Sequence, residues 1–244
     1  MEDVRAFFKK YYCPSNAILC IAGNFELDFI KERVNYWFSD IASGKKPARI
    51  IASEPKQIEF RELELERNVP ASAFYYAFKM AERKHPDYYI ADILSDSLSI
   101  EKSSLLYLKL KNEKQLVSEI VSYITGSIDE GLFIISGKLN DGISFEDFDN
   151  ALWEVLNEVC LNPIEEKELN SLKIKMQTAR AFQEQGILNR SMNLCYFELL
   201  GDANGINEEH LIYEQISCDH IQSYANELFQ KTNCSILKIK AQQA

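Results

Sequence analysis

The residue types that most often carry chemistry are thinly spread along this chain of 244 residues. It has three histidines, His85, His210 and His220, and no two of them lie three or four residues apart. That spacing is what puts two imidazoles on one face of a helix to ligate a metal. His85 precedes Pro86 where a helix is expected to begin. His210 belongs to the polar run Asn207-Glu208-Glu209-His210, which reads as a loop. The six cysteines are Cys13, Cys20, Cys160, Cys195, Cys218 and Cys234, with no Cys-x-x-Cys pair. Most sit inside apolar runs, as Cys20 does after Ile18-Leu19, so they read as buried free thiols acting as small hydrophobes. Ser103-Ser104 reads as a cap or turn, because no base is near it and no Gly-x-Ser-x-Gly elbow exists. Tyr107, Tyr123, Tyr196 and Tyr213 read as core-edge residues with satisfied hydroxyls. The run from Glu165 to Glu168 reads as a solvated helix start.

Composition narrows the classes of function. The chain is 46% hydrophobic and 26% charged, ordinary values for a globular protein that can bury a large core. Its formal net charge of -10 argues against binding the phosphate backbone of a nucleic acid, which needs clustered Lys and Arg. No apolar run is long enough for a membrane span, and Met1 to Tyr12 lacks the apolar core of a signal peptide.

Period and punctuation then suggest the elements. Val4, Phe7, Phe8 and Tyr11 predict a helix over 2–12, stopped by Pro14. Ala17 to Ala22 reads as a short strand, and Leu27 to Phe38 as a helix. Ser43 to Pro47 has the composition of a linker. Residues 57–66 alternate as a strand, with a phase slip that predicts a bulge near Arg61 or Glu62. Ala71 to Met80 is apolar enough for a central strand. Tyr88 to Leu98 and Ser103 to Lys111 read as helices, Leu116 to Ile124 and Leu132 to Leu139 as strands around a turn at Gly126. Helices follow from Ser144, from Asn162-Pro163, over Leu188 to Leu200 and over Ser217 to Phe229. Cys234 to Ile239 closes the chain as a strand. The expected fold class is α+β, a mostly antiparallel sheet with helices packed on one face.

Several words in this order resemble a known family: His85-Pro86-Asp87 opening a helix, Ser103-Ser104-Leu105-Leu106-Tyr107, the run from Lys111 to Val121, and Gly126 to Ile134. Together they are similar to the second domain of insulinase/pitrilysin zinc metallopeptidases, in the branch that includes mitochondrial processing peptidase. The resemblance implies three parts. Residues 1–43 would be the C-terminal tail of a first peptidase-like domain, 44–55 a linker, and 56–244 a second, inactive peptidase-like domain, related to the first by duplication.

It also implies a division of labour. The family's zinc is held by His-x-x-Glu-His on a helix of the first domain, with the Glu as general base. That motif is absent here, so this chain alone is expected to be inactive. Zinc is expected in the full-length protein or a partner, and no cofactor in this chain. In the second domain the family carries an Arg and a following Tyr that donate to the substrate carbonyl. The matching positions are Lys111 and Ser118, the candidate substrate-binding residues. Lys keeps the charge without the guanidinium fork, and Ser lacks a phenol's reach. In two-subunit members the zinc-bearing subunit lacks the Arg/Tyr pair, so its loss here fits the C-terminal part of a zinc-bearing chain.

The function so implied is a wall of the chamber that binds peptide substrate. The implied partners are a peptide and a second peptidase-like domain or dimer partner. The location is soluble, cytoplasmic or periplasmic according to sequence outside this chain. One alternative is a free-standing scaffold subunit of a heteromeric complex. Another is an unrelated enzyme using Lys111 or a cysteine, which a strongly lowered lysine or thiol pKa would support.

Overall fold

The computed structural model describes residues 1–48, 54–99 and 101–242. Residues 49–53, part of the expected linker, and Ile100 lie outside them. The chain divides into two compact units. One comprises Met1–Pro55 and Ala179–Glu208, the other Lys56–Thr178 and Glu209–Ala244.

The first unit opens with helix α1, Glu2–Tyr11. Acids in its first turn and Lys9 and Lys10 in its last complement the helix dipole. A 3-10 turn follows at Pro14–Asn16. Ala17 to Ala22, expected as a strand, runs on without a ladder partner among the described residues. A strand is defined by its neighbour, so apolar composition alone does not make one. Helix α2 spans Leu27–Phe38.

The second unit holds a five-stranded sheet. Its first strands are β1 (Arg61–Arg67) and β2 (Ala73–Met80). The ladder begins at Arg61, so the alternation read over 57–66 overshoots its start, and no bulge interrupts β1. Gln57 is buried instead, its amide donating to the Cys234 carbonyl at 2.8 Å and the Glu59 carbonyl at 2.9 Å. Helix α3 (Pro86–Ser99) follows, then a π-helical run at Tyr107–Glu113 where an ordinary helix was expected. Strands β3 (Val117–Ile124) and β4 (Gly131–Leu139) form an antiparallel pair. Helix α4 (Phe145–Leu161) starts at Ser144, whose hydroxyl accepts from the Asp147 N–H at 3.0 Å.

Helix α5 (Glu166–Glu184) begins three residues beyond Pro163, so that proline precedes the helix and does not occupy its first turn. Helix α6 (Ile187–Leu200) ends on Gly201 in the left-handed region, φ 116°, which an L side chain resists. Helix α7 (Gly205–Glu214) occupies the run read as a loop around His210. Glu208 and Glu214 face solvent while Ile206 is buried, a short amphipathic pattern that polarity concealed. Helix α8 (Cys218–Leu228) is followed by a 3-10 turn at Lys231–Asn233 and strand β5 (Cys234–Ala241).

The strand order is β1-β5-β2-β4-β3. Only the β1/β5 pairing is parallel, so the sheet is mixed and mostly antiparallel, as expected. Helices pack on one face. Phe74, Tyr76, Phe78, Phe133 and Ile135 of the sheet meet Phe148, Leu152 and Phe229 of the helical layer. Phe78 and Phe133 each pack edge-on against Phe229, with centroids 5.2 and 5.5 Å away.

The two units share a local pattern. In each, a helix is followed after two residues by a three-residue 3-10 turn, then by an extended segment. Aligning Asn16 with Asn233 puts Val4, Phe7, Tyr11 and Tyr12 opposite Ile221, Tyr224, Leu228 and Phe229. The second set is core; Ile221 is 2% exposed. The first set is not: Val4 is 63% and Phe7 57% exposed.

Candidate functional site

The helix-free face of the sheet in the second unit carries a group of exposed apolar side chains. Side chains alternate across a strand, so the register fixes which residues share a face. Leu63 of β1 pairs with Leu237 of β5, which pairs with Tyr75 of β2, then Ser136 of β4 and Val121 of β3. The next row runs through Ala77, Ile134 and Tyr123. Leu63, Tyr75, Val121, Tyr123 and Leu132 are exposed. The opposite parity, Phe74, Tyr76 and Phe78, is fully buried under the helices. Alternation therefore sets two apolar faces back to back, one covered and one open.

The edge strand β3 is entered through irregular backbone. The π-helical run reaches Glu113, Gln115 is left-handed at φ 52°, and the β3/β4 register slips between Val117 and Glu119. The extra residue at that bulge is Ser118. π-Turns and bulges re-aim side chains and recur beside binding sites. The sequence reading missed this irregularity because Leu105, Leu106, Leu108 and Leu110 satisfy an α-helical pattern as well as a π one.

Lys111 and Ser118 both lie in this stretch. Lys111 extends back along its own helix, with Nζ 4.8 Å from the Tyr107 ring centroid. Ser118 is exposed, and its hydroxyl donates to the Lys138 carbonyl of β4 at 3.4 Å. Beside it, Glu119 pairs with Lys138 across the open face. Each candidate thus already has a neighbour of its own. On the covered face, the Ser122 hydroxyl donates to the Ser95 carbonyl at 2.7 Å, and its N–H donates to Ser99 Oγ at 2.6 Å. Those bonds fasten β3 to α3.

Two of the three histidines serve helix starts. His220 completes a capping box with Ser217 at the start of α8. His85 Nδ1 accepts the Asp87 N–H at 3.2 Å at the start of α3. Among the described residues no group of three or more His, Cys, Asp or Glu is arranged to hold a metal ion. The residues present therefore do not fit a zinc site. The cysteines correct an expectation: only Cys234 is buried, while the other five are half-buried, and all six are free.

Two polar clusters lie within the second unit. Lys238, on the covered face, donates to Asp149 at 2.5 Å and Glu62 at 2.8 Å, and Tyr76 donates to the other Asp149 oxygen. Burial and the Asp149 carboxylate both push the Tyr76 hydroxyl's pKa up. In the other, Tyr213 of α7 donates to Asp92 at 2.7 Å, and Arg83 pairs with Glu209 while stacking on Tyr88 and Tyr89. Burial raises the Asp92 carboxyl. Neither cluster contains a lysine or thiol of lowered pKa, the feature that would support the unrelated-enzyme reading.

The α+β fold matches a solved peptidase M16 inactive domain from Pseudomonas fluorescens, with TM-score 0.82, 16% identity, and 100% of this chain and 58% of the other covered. The chain belongs to the family of the peptidase M16 inactive domain, whose model matches residues 1–176. It is 23% identical over 243 residues to the zinc protease PqqE of Helicobacter pylori, covering 98% of this chain and 55% of that protein. It therefore spans about half the length of this relative. The fold matches the crystal structure of a protease from Helicobacter pylori, with TM-score 0.89, 23% identity, and 98% of this chain and 58% of the other covered. It also matches a chain of complex III2 from Candida albicans, with TM-score 0.80, 18% identity, and 98% and 58% covered.

Proposed function

We propose that this chain is the non-catalytic, peptide-holding part of a zinc metallopeptidase. Zinc and the catalytic Glu come from another region of the protein or from a partner. The observation that carries this reading is the open apolar sheet face bordered by the irregular segment 107–118. An unfolded peptide offers apolar side chains for that face and backbone groups for the β3 edge, which gives affinity with loose sequence preference. Lys111 and Ser118 stand at that border as weakened donors to a substrate carbonyl.

The domain reading is part of the same proposal. Residues 1–43 form the tail of a first peptidase-like domain and 44–55 a linker to the second. The pattern shared by α1 and α8 supports it. On this reading the exposed face of α1 is a core face, and 17–22 is a strand whose neighbours lie elsewhere.

The test is fluorescence anisotropy with a labelled, unstructured apolar peptide. We expect saturable binding to the chain, weakened tenfold or so by Tyr75→Asp with Val121→Asp, about 1.4 kcal/mol. Urea unfolding checks that the variant still folds. Binding unchanged by charges placed on this face would overturn the reading.

The likeness to a chain of complex III2 favours a second reading, a scaffold subunit that holds a partner chain and takes no part in hydrolysis. Stable pairing with a second chain and no affinity for unfolded peptide would select it.

A further inference from the structure

We propose that a cavity among α3, α4, α5 and α8 binds a small organic amine, an ammonium head on a short apolar body. The cavity has a volume of about 210 Å³ and lies wholly within the second unit. None of its lining residues belongs to the sheet, so the inference stands apart from the peptide reading. Leu94, Ser97 and Leu98 lie three and four residues apart on α3 and so share one face. Leu94, Leu98 and Ile221 of the lining are buried, and Leu105, Val159 and Ile164 pack against the same core. The volume, roughly seven times a water's share of the liquid, is below that of drug-sized pockets and suits a fragment-sized ligand.

The polar part of the lining selects the ligand's charge. It holds three carboxylates, Glu158, Glu165 and Glu168, and no Lys, Arg or His. Its neutral polar side chains turn donors to backbone carbonyls. Ser97 donates to Leu94 at 2.8 Å, Asn162 to Glu158 at 3.2 Å, and Gln222 to Leu161 at 2.8 Å and Cys160 at 3.2 Å. Acceptor oxygens are what remain for a ligand. Glu158 pairs with Lys109 at 3.5 Å, and Lys175 pairs with Glu101 at 2.7 Å. The Glu165 and Glu168 carboxylates have no ion pair or hydrogen bond among the described residues.

Two like charges at a partly buried mouth disfavour each other. Burial first, then Glu165, raises the Glu168 carboxyl, with Lys175 opposing. The positive end of α5 lies at the same place, yet Glu168 is raised and not lowered, so negative charge is left for a ligand to neutralise. A cation beside the two carboxylates offsets their repulsion, while its apolar body covers Leu94, Leu98 and Ile221. A neutral molecule of the same shape gains only the apolar contribution. An anion of that shape meets like charge and is turned away.

The experiment is a ligand-observed NMR titration of the full chain with 2-phenylethylamine, 2-phenylethanol and phenylacetate, probes of similar size and different charge. We expect the amine to bind saturably at millimolar concentration or below, about tenfold tighter than the alcohol, and the anion not to bind. Glu165→Gln with Glu168→Gln, both at exposed positions, should bring the amine down to the alcohol's affinity and leave the alcohol unchanged. Ser97→Trp, which fills the cavity, should abolish binding of both. Urea unfolding checks each variant, and the Gln pair decides the matter if Ser97→Trp fails to fold. An amine bound no tighter than the alcohol, or bound equally well by the Gln pair, would overturn the proposal. The labelled-peptide test reads a different surface, so either proposal can fail without the other.

Discussion

Asp96 lies one helical turn after Asp92 on α3, so two carboxylates share one partly buried strip. Burial first, then the nearby Asp92, raises Asp96 to about 6, with Lys175 opposing. A carboxyl whose pKa is higher folded than unfolded stabilises the fold below the unfolded value and loses that contribution as pH rises through the folded one. The window here runs from about pH 4 to pH 6. We expect Asp96→Asn to raise stability at pH 7 by about 1 kcal/mol, allowing for solvent screening, and to flatten the pH dependence across that window. Urea unfolding at pH 5 and pH 7 checks both effects. Asp149 makes the opposite case. It accepts from Lys238 and Tyr76 together, so Asp149→Ala removes the shared acceptor of two buried donors. The expected loss is about 3 kcal/mol, read from the urea midpoint at constant slope.

At the scale of elements, the β3/β4 pairing depends on the absence of a side chain. A Cβ at Gly137 would lie 2.2 Å from the Glu119 carbonyl oxygen and 2.7 Å from Phe74. One is backbone of the edge strand and the other a fully buried ring, so neither can yield cheaply. Gly137→Ala should cost about 3 kcal/mol and blunt peptide binding, because it displaces the strand that forms the proposed edge. Ser217→Ala removes the acceptor of the α8 capping box and should cost about 1 kcal/mol, with peptide affinity unchanged. The contrast between the two variants separates damage to the proposed edge from damage to stability alone. The irregular backbone from Tyr107 to Ser118 gives a further prediction. If Lys111 and Ser118 stand where donors to a substrate carbonyl belong, Lys111→Arg with Ser118→Tyr should tighten peptide binding several-fold. Unchanged anisotropy with the double variant would remove these two positions from the site.

For the whole molecule, the absence of a fitted metal site among the described residues leads to a direct expectation. Titrated with zinc, this chain should take up no tight stoichiometric ion and show no hydrolysis that a chelator abolishes. Stoichiometric zinc with chelator-sensitive cleavage by the chain alone would overturn the proposed division of labour. Much of this was open to reading in the sequence. The α+β class, the central strand at Ala73–Met80 and the helices α3, α4, α6 and α8 follow from the spacing of apolar residues and from caps such as Ser144 and Ser217. The family words from His85 to Leu139 supplied the relationship that the family match then established. What the sequence could not determine depends on neighbours distant along the chain. Apolar runs at 17–22 and 73–80 look alike, yet among the described residues only the second acquires ladder partners. The polar run at 207–210 became helix because Ile206 found a buried place. The open face of the sheet appears only when five strands align in register, since alternation in one strand leaves open which side the helices will cover. Local pattern thus determined most of the elements, while tertiary packing decided the state of 17–22 and 207–210 and which face of the sheet the helices cover.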